Sequence, residues 1–121
     1  MRREVLYLQD ILEACLDIRR FVEGSDRDSF VSDAMRRRAV LQCLTTIGEA
    51  VRSLPDSLLS RYREVPWKDI VGTRHVVVHR YFGLDWDAIW LMATIDARFL
   101  HESVVAIIEA EFPGDPAQYL E

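Results

Sequence analysis

Residues 74–82 read RHVVVHRYF, and they contain two of the chain's three histidines. Arg74, His75, His79, Arg80 and Tyr81 bracket three valines. Residues of these types can cut RNA without a metal. The 2′-hydroxyl attacks the adjacent phosphorus once a base takes its proton, an acid protonates the leaving oxygen, and a cation holds the charge on phosphorus. Histidine, with an unperturbed pKa near ~6.5, serves as base or acid around neutral pH. Arginine stays charged and clamps two phosphate oxygens with its planar fork. DNA lacks the hydroxyl, so such a site is RNA-specific by chemistry. Arg74 and His79 are the candidate pair. On an ideal helix their five-residue separation sets them roughly 140° apart. Either the helix loosens near His79, or the site is composite. A two-fold dimer would bring two copies of each residue together across its axis, because its interface is isologous. The same residues also read as an ordinary helix end, with cations where the dipole favours them.

The elements that must position this stretch follow from periodicity. Leu8, Ile11, Cys15, Ile18 and Val22 form one apolar stripe, with Gly24 placed to end the helix. The residues SDRD (25–28) supply caps for the next one. Val40, Leu44, Ile47, Val51 and Leu54 form a second stripe that extends back through Phe30 and Ala34 and stops at Pro55. Gly48 lies inside it, which predicts close helix packing there. A polar segment, residues 55–65, leads to Pro66 at a first helical position. Trp67, Ile70 and Val71 open a third helix that runs into the motif and is broken by Gly83. The valines read as the buried face of this helix or its last turn. Asp85 is the predicted N-cap of a fourth long helix, carrying Ile89, Met92, Ile95, Phe99, Leu100, Val104, Ile107 and Ile108 and ending near Phe112. The expected architecture is all-α, a bundle of four main helices plus a short one. Residues 1–112 form one domain, and 113–121 form a loose tail.

Half the residues are hydrophobic, enough to bury a core. No apolar run spans a membrane, and charges of both signs in the first 25 residues argue against a signal peptide. The chain therefore reads as cytoplasmic. Cys15 and Cys43 lack metal-ligand spacing and read as buried free thiols, so no metal is expected. A net charge of −5 argues against a surface wrapped entirely by nucleic acid but leaves room for a small basic site. Lys68 is the only lysine, so the cations are nearly all arginine.

The motif resembles the signature of HEPN-domain ribonuclease toxins, in particular the HepT-like group: an arginine, four residues, a histidine, any residue, then a tyrosine. Here these are Arg74, His79 and Tyr81. Further anchors occur in the family's order: Ile47-Gly48-Glu49-Ala50, Pro66-Trp67, Tyr81-Phe82, Leu84-Asp85 and Trp90. The resemblance covers most of the chain. It implies a HEPN-type helical bundle, a homodimer with a composite site, and metal-independent RNA cleavage with no cofactor. It also implies a type VII toxin–antitoxin system, in which a minimal nucleotidyltransferase antitoxin adds AMP to Tyr81. A bulky anionic adenylate there would compete with RNA phosphate beside Arg74 and His79. HEPN domains that have lost activity exist, so a non-catalytic helical module binding nucleotide or a protein partner is the alternative.

One departure is His75, where many members have asparagine or another small polar residue; it is a candidate for a supporting polar contact. Arg80, beside His79 and Tyr81, is a candidate contact to RNA or a partner. Glu49 is a candidate to hold Arg74 or another helix. Arg36, Arg37 and Arg38 fan over about 200° of helix, so at most one or two face a common cleft. Arg61, Tyr62 and Arg63 interleave an aromatic with two cations but read first as a surface loop. His101, Trp86 and Trp90 read as structural, with His101 partly exposed.

Overall fold

The α1 sequence repeats apolar residues densely enough to cover two neighbours, not one. In the computed structural model, which describes residues 3–114, α1 (Arg3–Val22) buries Val5, Leu8, Ile11, Leu12, Cys15 and Ile18 among others. It packs on both α3 (Ala34–Arg52) and α7 (Ala97–Glu111). Gly24 ends α1 with a φ of 77°, a left-handed turn that a side chain would disfavour. The chain then enters α2 (Arg27–Ser32) through a capping box: the Ser29 N–H donates to Asp26 Oδ1 at 2.9 Å, and the Asp26 N–H donates to Ser29 Oγ at 3.0 Å.

The second apolar stripe is two helices, not one. Asp33 is extended, with φ −104° and ψ 99°, and its carboxylate accepts from the Met35 and Arg36 N–H groups. An aspartate that can cap a new helix competes with continuing the old one. Phe30 on α2 is fully buried against Trp86 and Trp90, at ring-centroid distances of 6.4 and 5.3 Å. Both tryptophans are therefore structural, as expected.

The polar segment after Pro55 contains a short helix, α4 (Asp56–Leu59), because Leu58 is buried. Its continuation is tied down at two points. Trp67 Nε1 donates to the Tyr62 carbonyl at 2.9 Å. Arg61 donates to both carboxylate oxygens of Glu111, at 3.1 and 2.7 Å, and the Tyr62 hydroxyl donates to Glu111 Oε2 at 2.6 Å. The Arg61–Tyr62 pair thus fastens this segment to the end of α7.

The third helix, α5 (Trp67–His79), lies against α3. It ends before Gly83: Arg80 leaves helical geometry, and Tyr81–Gly83 form a single 3-10 turn. The fourth helix starts as predicted. Asp85 caps α6 (Trp86–Leu91), accepting from the Asp87 and Ala88 N–H groups. The helix is not uniform, however: Met92–Asp96 form a π-helical stretch before α7. Ile95 and Phe99, among the apolar residues expected on this helix, are exposed, and with Leu91 they make an apolar ridge.

All-α architecture therefore holds, with no strand among the described residues. The four main helices are α1, α3, α5 and the continuous run Trp86–Glu111, accompanied by two short helices, α2 and α4. The tail expected at 113–121 falls, from Asp115 onward, outside the described residues. Among the described residues, no helix is long and apolar enough to cross a membrane.

Candidate active site

Arg74 sits at a close approach of α5 to α3. A Cβ built on Gly48 would lie 2.2 Å from Arg74 Cβ and 2.9 Å from its Cγ. The absence of a side chain at Gly48 is therefore what lets the stem of Arg74 lie directly on α3. The next residue, Glu49, accepts a hydrogen bond from Arg74 Nη2 at 3.3 Å. Gly48 sets the position of Arg74, and Glu49 holds its head. Of the two, Arg74 is the more enclosed: its side chain is 23% exposed, against 58% for Glu49. Arg74 Nε is buried with no acceptor among the described residues. The protein thus satisfies this guanidinium only in part.

The valines do not behave as one buried face. Val77 is 7% exposed and belongs to the core, whereas Val76 and Val78 are 40% and 46% exposed. Consecutive residues fan around a helix, so only one of three can face α3. That one anchors the last turn, and the residues around it emerge: His75, His79 and Arg80 are all exposed. The rings of His75 and His79, one turn apart, are 4.5 Å between centroids. Because α5 stays helical through His79, it does not loosen to bring His79 round to Arg74. The structure brings Glu49 to Arg74 and His75 to His79; within one chain it does not unite Arg74 with His79.

Beyond His79 the turn is held by two backbone bonds. The Arg80 N–H donates to the Val76 carbonyl at 2.8 Å, and the Gly83 N–H donates to the Arg80 carbonyl at 2.9 Å. This turns Tyr81 back onto the core, where it is half-buried, while Phe82 stands fully exposed. Arg38 of α3 lies over the Tyr81 ring, 5.5 Å from its centroid. Arg38 is thus the one member of its triplet that reaches the motif. Arg37 stacks over Trp86 at 5.1 Å and donates to the Val31 carbonyl, and Arg36 donates to the Glu23 carbonyl at 3.2 Å. Sequence reasoning allowed for one or two such arginines but had no signal to choose among them.

Other candidates resolve as structural. Arg61 and Tyr62 are engaged by Glu111, which lowers the carboxylate's pKa through its hydrogen bonds from Arg61 and then Tyr62. His101 is buried, not partly exposed, because it lies near Cys15 and Arg19 of α1 and beside the π stretch. Both cysteines are free and buried, and burial pushes each thiol up to about 12. Among the described residues, no group of three or more His, Cys, Asp and Glu side chains could hold a metal ion.

A cavity of about 280 Å³ opens between α3, α5 and the π stretch. Ile47, Ile70, Met92, Phe99 and Leu100 make it mainly apolar, with Asp69 and Asp96 among its lining residues. The exposed ridge of Leu91, Ile95 and Phe99 borders it through Phe99.

Comparison with known proteins identifies the family. No solved structure gives a significant match. A protein of Methanocaldococcus jannaschii named "Putative RNase MJ1380" is 35% identical over 81% of this chain and 90% of its own length. One of Caldanaerobacter subterraneus subsp. tengcongensis, "Putative RNase TTE0752", is 35% identical over 87% of this chain and 94% of its own. "Probable ribonuclease HepT" of Thermococcus cleftensis is 33% identical over 69% and 76% respectively. The model of the family "Ribonuclease HepT-like" matches residues 11–107, which include Gly48, Glu49 and the whole motif from Arg74 to Phe82. The chain belongs to the HepT-like ribonuclease family.

Proposed function

We propose that this chain is a metal-independent endoribonuclease toxin that acts in the cytoplasm as a homodimer. The observation that carries this reading is the treatment of Arg74: a glycine makes room for its stem, a glutamate steers its head, and an imidazole pair stands on the exposed end of the same helix. A guanidinium held this way is pre-organised for phosphate. The family and the names of its relatives supply the reaction class.

In the proposed reaction, one imidazole takes the proton of the 2′-hydroxyl. The freed oxygen bonds to phosphorus, and the bond from phosphorus to the 5′-oxygen breaks. A second imidazole, protonated, gives that leaving oxygen its proton. Arg74 holds the non-bridging oxygens as charge builds on them. The products are a 2′,3′-cyclic phosphate and a 5′-hydroxyl. Because α5 is regular between Arg74 and His79, convergence on one phosphate calls for a second chain. Val76 and Val78 within the motif, and the Leu91–Ile95–Phe99 ridge, offer apolar surface for a two-fold contact.

Control is assigned to Tyr81. A minimal nucleotidyltransferase antitoxin would transfer AMP from ATP to its phenolic oxygen, releasing pyrophosphate. The adenylate would then occupy the ground in front of His79 and Arg74 with its own negative charge.

The test is cleavage of single-stranded RNA in EDTA, with the ends analysed for cyclic phosphate. His79→Ala should slow cleavage by about 10²- to 10⁴-fold, the usual worth of a general acid or base. A variant as fast as the parent removes His79 from the mechanism. Intact mass after co-expression with the partner should rise by one or more AMP units, and Tyr81→Phe should abolish the gain.

A further inference from the structure

Among the described residues, Phe82 is the most exposed of the large apolar side chains, at 101% of its reference surface. It is not on a slack loop: the 3-10 turn that carries it is fixed by the Arg80 and Gly83 backbone bonds. Its ring meets Tyr81 edge-on, with centroids 5.3 Å apart and planes at 78°. Tyr81 is in turn backed by the Arg38 guanidinium. The result is a rigid pedestal that holds a bare aromatic face in water, three residues beyond His79.

The stretch that carries it is positive, and the carboxylates next to that stretch are engaged: Asp85 caps α6 and Glu49 accepts from Arg74. The molecule carries a net charge of −5, yet residues 70–84 contain no carboxylate and include Arg74, His75, His79 and Arg80. Arg38 adds a further cation from α3. A free aromatic face among cations suits a flat π system attached to an anionic backbone. An aliphatic or acidic partner would use one of these features and be opposed by the other.

We propose that Phe82 is a base-stacking subsite, taking one unpaired nucleobase next to the scissile phosphate while Arg38 and Arg80 contact the flanking phosphates. This deepens the ribonuclease reading and rests on it for the position of the scissile bond. The ligand class is single-stranded RNA, because a paired base has no free face to offer.

The experiment separates this proposal from the reading it rests on. Binding is measured with a labelled single-stranded DNA oligonucleotide, which lacks the 2′-hydroxyl and cannot be cut by this chemistry, and with the same oligonucleotide made abasic. Phe82→Ala should weaken binding of the intact oligonucleotide by about 10- to 100-fold, and Phe82→Trp should restore it. The parent should lose a similar factor on the abasic strand, while Phe82→Ala should lose nothing further. Equal binding by parent and Phe82→Ala, or by the parent on intact and abasic strands, overturns the subsite whether or not RNA is cleaved. Sedimentation of both proteins gives the third arm. If Phe82→Ala dissociates at concentrations where the parent is associated, Phe82 belongs to a contact between copies of the chain, and the stacking assignment falls. A parent that binds with these dependences but never cuts RNA would instead sink the ribonuclease reading and leave the subsite standing.

Discussion

Glu49 is more exposed than the arginine it holds, which separates its contribution to the site from its contribution to folding. Glu49→Ala should leave the melting temperature nearly unchanged, as exposed substitutions usually do. It should lower the RNA cleavage rate by about 10- to 100-fold, because a guanidinium misplaced by about 1 Å costs that much. Glu49→Gln keeps an acceptor and should lose less. A fall in stability as large as the fall in rate would make the glutamate merely structural. His75 offers a graded comparison. Its ring touches that of His79, so His75→Ala should slow cleavage by less than His79→Ala, measured on the same RNA. Much at this scale was readable in the sequence, because chemistry depends on residue type. Arg74, His79, Tyr81 and Glu49 are candidates by type and spacing alone, and the contact of Glu49 with Arg74 is present in the structure. Arg38 is not singled out this way: three consecutive arginines differ only in direction, and direction is set by how α3 is rotated against its neighbours.

At the scale of elements, the contact between α3 and α5 depends on a missing methyl group. Gly48→Ala would put Cβ 2.2 Å from Arg74 Cβ, and neither backbone can yield cheaply. The expected loss is about 1–3 kcal/mol, the range for an overpacked core, measured by denaturant unfolding. Cleavage should fall further than the loss of folded protein explains, because the shift moves Arg74 itself. A second tie joins Arg61 and Tyr62 to Glu111 at the end of α7. The Glu111 pKa is lowered in the folded state, so its contribution is present above the unfolded carboxylate value, near ~4.3, and is lost as pH falls through the folded one. The drop in melting temperature caused by Arg61→Ala should therefore be seen at pH 7 and fade in the acidic range below about 4.3. Helix periodicity located the main elements because each buries a stripe against the same core. It missed the break at Asp33, where a capping carboxylate wins over an apolar pattern that continues on both sides. It also missed the π stretch at Met92–Asp96, whose wider turn leaves the spacing of apolar residues almost unaltered while rotating Ile95 and Phe99 into solvent.

At the scale of the molecule, that ridge gives the proposed two-fold a testable surface. Ile95→Glu or Phe99→Glu should shift sedimentation toward the monomer and lower activity in step with the dimer fraction. Adding excess His79→Ala protein to Arg74→Ala protein should regain part of the activity, since a mixed dimer can hold one intact composite site. Full activity in a monomer would remove the second chain from the mechanism. The state of the two cysteines bears on how such contacts can be followed. With each thiol near about 12, the thiolate fraction at pH 7 is on the order of 10⁻⁵, and the thiolate is the reactive form. Alkylating reagents will pass over both in the folded protein. A single cysteine introduced on the ridge is then uniquely addressable without first removing the native pair. The interior's chemical silence makes the wild-type chain a ready background for spin labels, fluorophores and cross-links across the two-fold.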